Sequence, residues 1–247
     1  MNIKQYLDST YLKTAKQAGI SENENRKIVE KCIQEAIDEQ FKLIMIRPDY
    51  VTLAKKMITN ANSKVDIGTV ISFPKGKATL DEKLQEAQKA IQDGADDLDF
   101  VCNYKEFKKG NLELIKQEIL ECTALGLENK KIVKWIIEVA AMNNHQIVQL
   151  SALIKKLIIS NFKEEYYASV FVKSSTGFYK TKDNLPNGAT IETIIMMLEN
   201  ASPLPVKAAG GVRTYEEAVA MIQFGVKRIG TSAAKTIANG QVAESDY

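Results

Sequence analysis

Apolar positions along the chain follow two alternating rhythms. Short runs rich in Val, Ile, Leu and Phe read as strands at residues 6–10, 42–46, 64–71, 97–101, 132–138, 168–174, 205–209 and 227–231. Between them, apolar residues recur every three or four positions. Residues 24–39 place Ile28, Val29, Cys32, Ile33 and Ala36 on one face, and residues 80–92 do the same with Leu84, Ala87 and Ile91. Strands that alternate with helices pair in parallel through right-handed crossovers, and eight such units close a barrel. The fold class expected is α/β, a single (β/α)8 TIM barrel over residues 1–247 with a short C-terminal tail from about 239. An open doubly wound sheet is the structural alternative, but no G-x-G-x-x-G follows the early strands.

Parallel strands covered on both faces should be nearly pure Val, Ile and Leu. Several here are not: Asp99 lies in the fourth, Lys134 in the fifth, Lys173 in the sixth and Lys207 in the seventh. A single charge in a strand can snorkel to water from the strand end. Four in consecutive strands can instead converge, because inward residues near the C-terminal ends of barrel strands share one small cavity.

Composition narrows the chemistry. Lys plus Arg number 33 against 31 Asp plus Glu, a net charge of +2, so the chain has no field suited to a nucleic-acid backbone. The first eleven residues carry no continuous apolar run, which argues against a signal peptide or membrane anchor and leads us to expect a cytoplasmic location. Cys32, Cys102 and Cys122 are an odd set without paired short spacing, expected to be reduced, buried thiols. The single histidine, His145, stands near a predicted helix start and reads as a cap or surface residue. A zinc site needs several converging His or Cys ligands, so neither a catalytic metal nor another cofactor is expected.

A lysine amine attacks a carbonyl only when neutral, and at an ordinary pKa near 10.4 about one in 2,500 is neutral at pH 7. Lys173 and Lys207 sit on adjacent strands about 4.8 Å apart, where two positive charges repel by about 3.5 kcal/mol at an effective dielectric of 20. That repulsion could lower one pKa by roughly 2.5 units, before desolvation adds to it. Asp99, offset by Lys134, can then act with a water as general acid and base. Spacing alone leaves open which lysine attacks.

Glycine-bearing loops follow the late strands: Ser174-Ser175-Thr176-Gly177, Gly210-Gly211-Val212-Arg213-Thr214 and Gly230-Thr231-Ser232. The last two lead into predicted helices, whose N-termini favour anions, and the loops after strands seven and eight are a common phosphate site in barrels.

Taken together these segments resemble the 2-deoxyribose-5-phosphate aldolase family of class I aldolases. The resemblance runs nearly end to end, through residues 6–13, 69–76, 94–99, 134–138, 171–178, 207–214 and 228–232. It implies reversible cleavage of 2-deoxy-D-ribose 5-phosphate to acetaldehyde and D-glyceraldehyde 3-phosphate. Lys173 would form the Schiff base, Lys207 lower its pKa, Asp99 manage proton transfer and Lys134 support Asp99. Asp8, Thr10 and Thr176 would meet the substrate, and Gly177, Gly210, Gly211, Gly230 and Ser232 its phosphate. Tyr247, at the C-terminus, matches a mobile proton-transfer aid in some relatives. The implied partners are a phosphorylated sugar and an aldehyde, and a homodimer is the assembly considered. The chain departs from the family at Met45, Arg47 and Val139, and in a longer stretch over residues 179–188, which bears on how the substrate is covered above Gly177. The rival readings are a Schiff-base aldolase for another phosphorylated sugar, a pyridoxal-phosphate enzyme, and a catalytically silent sugar-phosphate binder.

Overall fold

The computed structural model describes residues 1–182 and 185–240. Eight strands run parallel in chain order: β1 (Leu7–Thr10), β2 (Leu43–Ile46), β3 (Asp66–Ile71), β4 (Asp97–Val101), β5 (Ile132–Ile136), β6 (Val170–Lys173), β7 (Val206–Ala209) and β8 (Arg228–Thr231). β8 pairs back onto β1, Gly230 opposite Asp8, so the sheet closes into a (β/α)8 barrel. All eight expected strands are present, β4 with the bounds expected and the other seven with shorter ends. The apolar run of β5 continues to residue 138, yet the strand stops at Ile136, because Glu138 adopts a left-handed backbone (φ 60°) and leads into a 3-10 helix. β6 begins at Val170, after a 3-10 helix over Glu164–Ser169.

Side chains alternate between the two faces of each strand. Outward residues such as Leu98, Phe100, Val133 and Trp135 are buried beneath the helices. There Phe100 and Trp135 stack at 5.2 Å between centroids, and the Trp135 indole donates to Thr123 Oγ1 at 3.0 Å, which removes the cost of burying its N–H. Inward residues form a separate interior, with Leu43, Met45 and Val70 on one side and Val101 and Ile136 on another. The charged strand residues fill the rest.

Helix starts follow local chemistry. Thr79 caps the helix Leu80–Asp93 in a reciprocal pair with Glu82, and Thr214 does so with Glu217 for Tyr215–Phe224. The helix with apolar periodicity from residue 24 starts at Glu22, because Ser21 and Glu24 form the same box and the first turn is polar. His145 lies exposed in the first turn of Asn144–Asn161, capped by Asn143. Cys102 and Cys122 are buried free thiols, whereas Cys32, on the rim of its helix face, is only half-buried. Among the described residues no helix is long and apolar enough to cross a membrane.

Candidate active site

β4 supplies two carboxylates to the barrel interior, since Asp97 and Asp99 lie two residues apart and so face the same way. Asp99 accepts from Lys173 Nζ (2.7 Å) and Lys207 Nζ (3.0 Å) on the same oxygen, Oδ2. Its other oxygen is ion-paired with Lys134 Nζ at 3.0 Å. The four charges expected to converge therefore do, and the Lys173 and Lys207 amines face the same side of the barrel wall.

The assembly is larger than the sequence reading anticipated. Lys134 also bonds Asp97, and Lys207 lies 2.6 Å from Asp8 Oδ2. Arg228 joins the two: Nε donates to Asp8 Oδ1 at 2.7 Å, and Nη2 reaches across the barrel from β8 to Asp97 Oδ2 at 3.1 Å. The result is a closed ring of alternating charge, Asp99–Lys207–Asp8–Arg228–Asp97–Lys134, with Lys173 attached to it at Asp99. All three carboxylates are buried, and so are Lys134, Lys207 and Arg228.

Each position in the ring sets a protonation state. Burial is the largest influence on Lys173; with the positive charges of Lys207 and Lys134 it outweighs the pull of Asp99 and lowers the amine to about 8. Repulsion by Lys207, the first cause in the sequence reasoning, thus ranks behind burial. Burial favours neutral Asp99, but Lys134, Lys173 and Lys207 together hold it well below the usual carboxylate range. Burial likewise works against charged Asp8, yet Arg228 and Lys207 bring it to about 2. Asp97 is pushed up by burial and by Asp8, against Lys134 and Arg228. Lys134 loses by burial but is raised overall by Asp97, Asp99 and Asp8.

Above the ring lies one cavity. Lys173 lines it together with Thr10, Thr176, Gly177, Gly210, Gly211, Gly230 and Ser232, so these expected substrate and phosphate residues share a single space. Asp8 does not line it: fully buried beneath, it holds Lys207 and Arg228 instead. Thr10 Oγ1 donates to the Asp8 carbonyl at 2.8 Å. Gly230 is required by the lysine, since a Cβ there would stand 3.0 Å from Lys207 Cε and 3.3 Å from Ala209 Cβ. Gly210 has φ +81° and lies against Gly188, where a Cβ would fall 2.3 Å from the Gly210 carbonyl oxygen. Beside that close approach Ala189 N–H donates to Gly210 O at 2.9 Å and Asn187 Nδ2 to Gly177 O at 3.2 Å, which holds residues 187–189 against the glycine loops. Phe178 forms another wall, edge-on to Phe73 at 5.0 Å, and the Arg47 guanidinium lies 4.7 Å from the Phe73 centroid. Tyr247 lies outside the described residues.

Asp97, Arg228, Glu138 and Asn187 were not singled out from sequence. The first two were findable: Asp97 shares the strand face of Asp99, and Arg228 is a charge inside an apolar strand, the criterion that selected Lys134. Glu138, which closes the expected run 132–138, met the same criterion. Its Oε2 accepts from the Thr176 hydroxyl, and burial raises its carboxyl against the hydrogen bonds of Thr176. Among the described residues no group of three or more His, Cys, Asp or Glu is placed to hold a metal ion.

The family model described as DeoC/LacD family aldolase matches residues 12–242. A deoxyribose-phosphate aldolase of Thermococcus gammatolerans is 35% identical over 241 residues, 97% of this chain and 96% of that one. One from Streptococcus pneumoniae is 34% identical over 248 residues, the full length of both. Among solved structures, the tetrameric deoxyribose phosphate aldolase from Aeropyrum pernix superposes with a TM-score of 0.73 at 26% identity, covering 96% of this chain and 89% of that one. A closed barrel, a lysine at its mouth and full-length similarity to named aldolases lead to one assignment: this chain belongs to the DeoC/LacD family of aldolases and is a carbon–carbon lyase.

Proposed function

We propose that the chain is a Schiff-base aldolase that reversibly cleaves 2-deoxy-D-ribose 5-phosphate to acetaldehyde and D-glyceraldehyde 3-phosphate, with Lys173 as the nucleophile. The observation that carries the reading is that Lys173 combines a place on the cavity wall with a pKa near 8, while Lys134 and Lys207 are fully buried below it. At pH 7 about one amine in ten is then free, roughly two hundred times the fraction of an ordinary lysine.

In this reading the Lys173 lone pair attacks the C1 aldehyde of the open-chain sugar, and the carbinolamine loses water to give an iminium. Asp99, through a water, takes the proton of the C3 hydroxyl as the C2–C3 bond breaks. The bonding pair moves into C2, leaving an enamine on Lys173, and C3 departs as the aldehyde of D-glyceraldehyde 3-phosphate. Protonation of C2 and hydrolysis of the iminium release acetaldehyde and restore the amine. Lys207, fixed between Asp8 and Asp99, keeps a positive charge beside Lys173 and supplies a proton path along Asp99. The phosphate is assigned to the N–H groups of Gly177, Gly210, Gly211, Gly230 and Ser232, with Thr10 and Thr176 against the sugar. The Aeropyrum pernix tetramer concerns that protein; for this chain a homodimer is the assembly we put forward.

The test is to incubate the folded protein with acetaldehyde and borohydride and to map the two-carbon adduct by mass spectrometry. Modification of Lys173 is expected, with turnover of 2-deoxyribose 5-phosphate and none of fructose 1,6-bisphosphate. An unmodified Lys173 in folded protein would overturn the assignment.

A further inference from the structure

Three carboxylates and four cations meet inside the barrel. Asp8, Asp97 and Asp99 are balanced by Lys134, Lys207 and Arg228, which leaves Lys173 as the one surplus cation. A dry interior penalises net charge far more than water does, and a lysine can shed its proton whereas an arginine cannot. We propose that Asp97 and Arg228, neither of which bonds Lys173, are positioning residues that keep the ring neutral and so set the charge state of the nucleophile. This rests on the assignment of Lys173 as the nucleophile and extends it to two residues with no assigned role in the chemistry.

The path is a chain of shared partners. Lys134 sits between Asp97 and Asp99, bonding the first and lying 3.0 Å from Oδ1 of the second. Whatever strengthens its hold on Asp97 loosens its hold on Asp99, and Asp99 is the group that accepts from Lys173. Arg228 competes for Asp97 from the far side of the barrel. Charge and geometry therefore act with the same sign. Without the Asp97 charge, the ring carries one more positive charge and Lys134 turns wholly to Asp99, so the Lys173 ammonium is disfavoured twice. Without Arg228, Asp97 turns to Lys134 and Asp99 is freed for Lys173, so the ammonium is favoured.

The charged groups acting directly on Lys173 are Asp99 from β4, Lys134 from β5, Lys207 from β7 and Glu138 past the end of β5, and behind them stand Asp97 from β4, Arg228 from β8 and Asp8 from β1. Glu138 is bound by Thr176 and lies outside the ring, so neither substitution below changes its partners.

The experiment is the pH dependence of Lys173 alkylation by acetaldehyde with cyanoborohydride, followed by mass spectrometry in the full-length chain. Asp97→Asn should move the midpoint to lower pH, and Arg228→Gln to higher pH. Each shift should be about half a unit or more, roughly a three-fold change in free amine at fixed pH. The double variant Asp97→Asn with Arg228→Gln removes one charge of each sign and should return the midpoint towards that of the unsubstituted protein. A neutral pair in place of a salt bridge leaves no stranded charge, so the double variant keeps the test alive if a single one does not fold. Midpoints that move in the same direction in both single variants, do not move at all, or stay displaced in the double variant overturn the proposal. Failure to label Lys173 in the unsubstituted protein would instead overturn the assignment of the nucleophile.

Discussion

Replacing Lys207 with Met tests the electrostatic account most directly. Bonds of 2.7 and 3.0 Å to one oxygen of Asp99 place the Lys173 and Lys207 nitrogens close together. At a near-tetrahedral angle the separation is about 4.7 Å, where two positive charges repel by about 3.5 kcal/mol at an effective dielectric of 20. Removing one should raise the other by about 2.5 units, returning the Lys173 amine from about 8 to the value of an ordinary lysine. The charge count agrees, because without Lys207 the three carboxylates need the Lys173 ammonium for balance. At pH 7 the free amine, and with it the rate of acetaldehyde trapping, should fall roughly 300-fold, recovering to within about ten-fold at pH 10. Trapping isolates imine formation from the later proton transfers that Lys207 also serves, so a loss here is a loss of nucleophile. Trapping by Lys207→Met at pH 7 within about three-fold of the unsubstituted rate, with an unmoved pH midpoint, would refute the reasoning.

The same shift has a stability consequence. Lys173 titrates at about 8 in the folded chain, below its unfolded value, so the folded state binds fewer protons between those pH values and stability rises with pH across that window. Below pH 8 the buried ammonium therefore costs stability, and Lys173→Met should unfold at higher urea than the parent at pH 7, by about 3 kcal/mol, with the gap closing towards pH 10.5. Asp99→Asn should still form the acetaldehyde adduct yet lose about 10²–10⁴-fold in turnover, since it removes the proton acceptor but also a charge that favours the ammonium; loss of adduct in folded protein would contradict this. Gly230→Ala should leave the circular dichroism spectrum unchanged while lowering kcat/KM by about 10–100-fold, because its methyl group would stand 3.0 Å from Lys207 Cε and displace the amine.

Much of this protein was legible in one dimension. Strand and helix rhythms depend on residues a few positions apart, so all eight strands could be read from them, as could the four charges that interrupt apolar runs. Boundaries were less legible where the backbone rather than the apolar pattern decides: Glu138 looks like strand but turns the chain at φ 60°. Asp8 could be picked out by resemblance, yet its place below the cavity rather than on its wall could not.

Tertiary structure decided what meets what. Arg228 and Asp97 are 131 positions apart and lie on opposite walls, so their bond exists only once the sheet has closed. The roles of Lys173 and Lys207 separate in the same way: both stand on adjacent strands in register, but only Lys173 lines the cavity, while Lys207 is held below by Asp8 and Asp99. The chain's local order determines which groups point inward. Their charge states depend on how many opposite charges the closed barrel gathers around each in the absence of water, and that sum runs over the whole molecule.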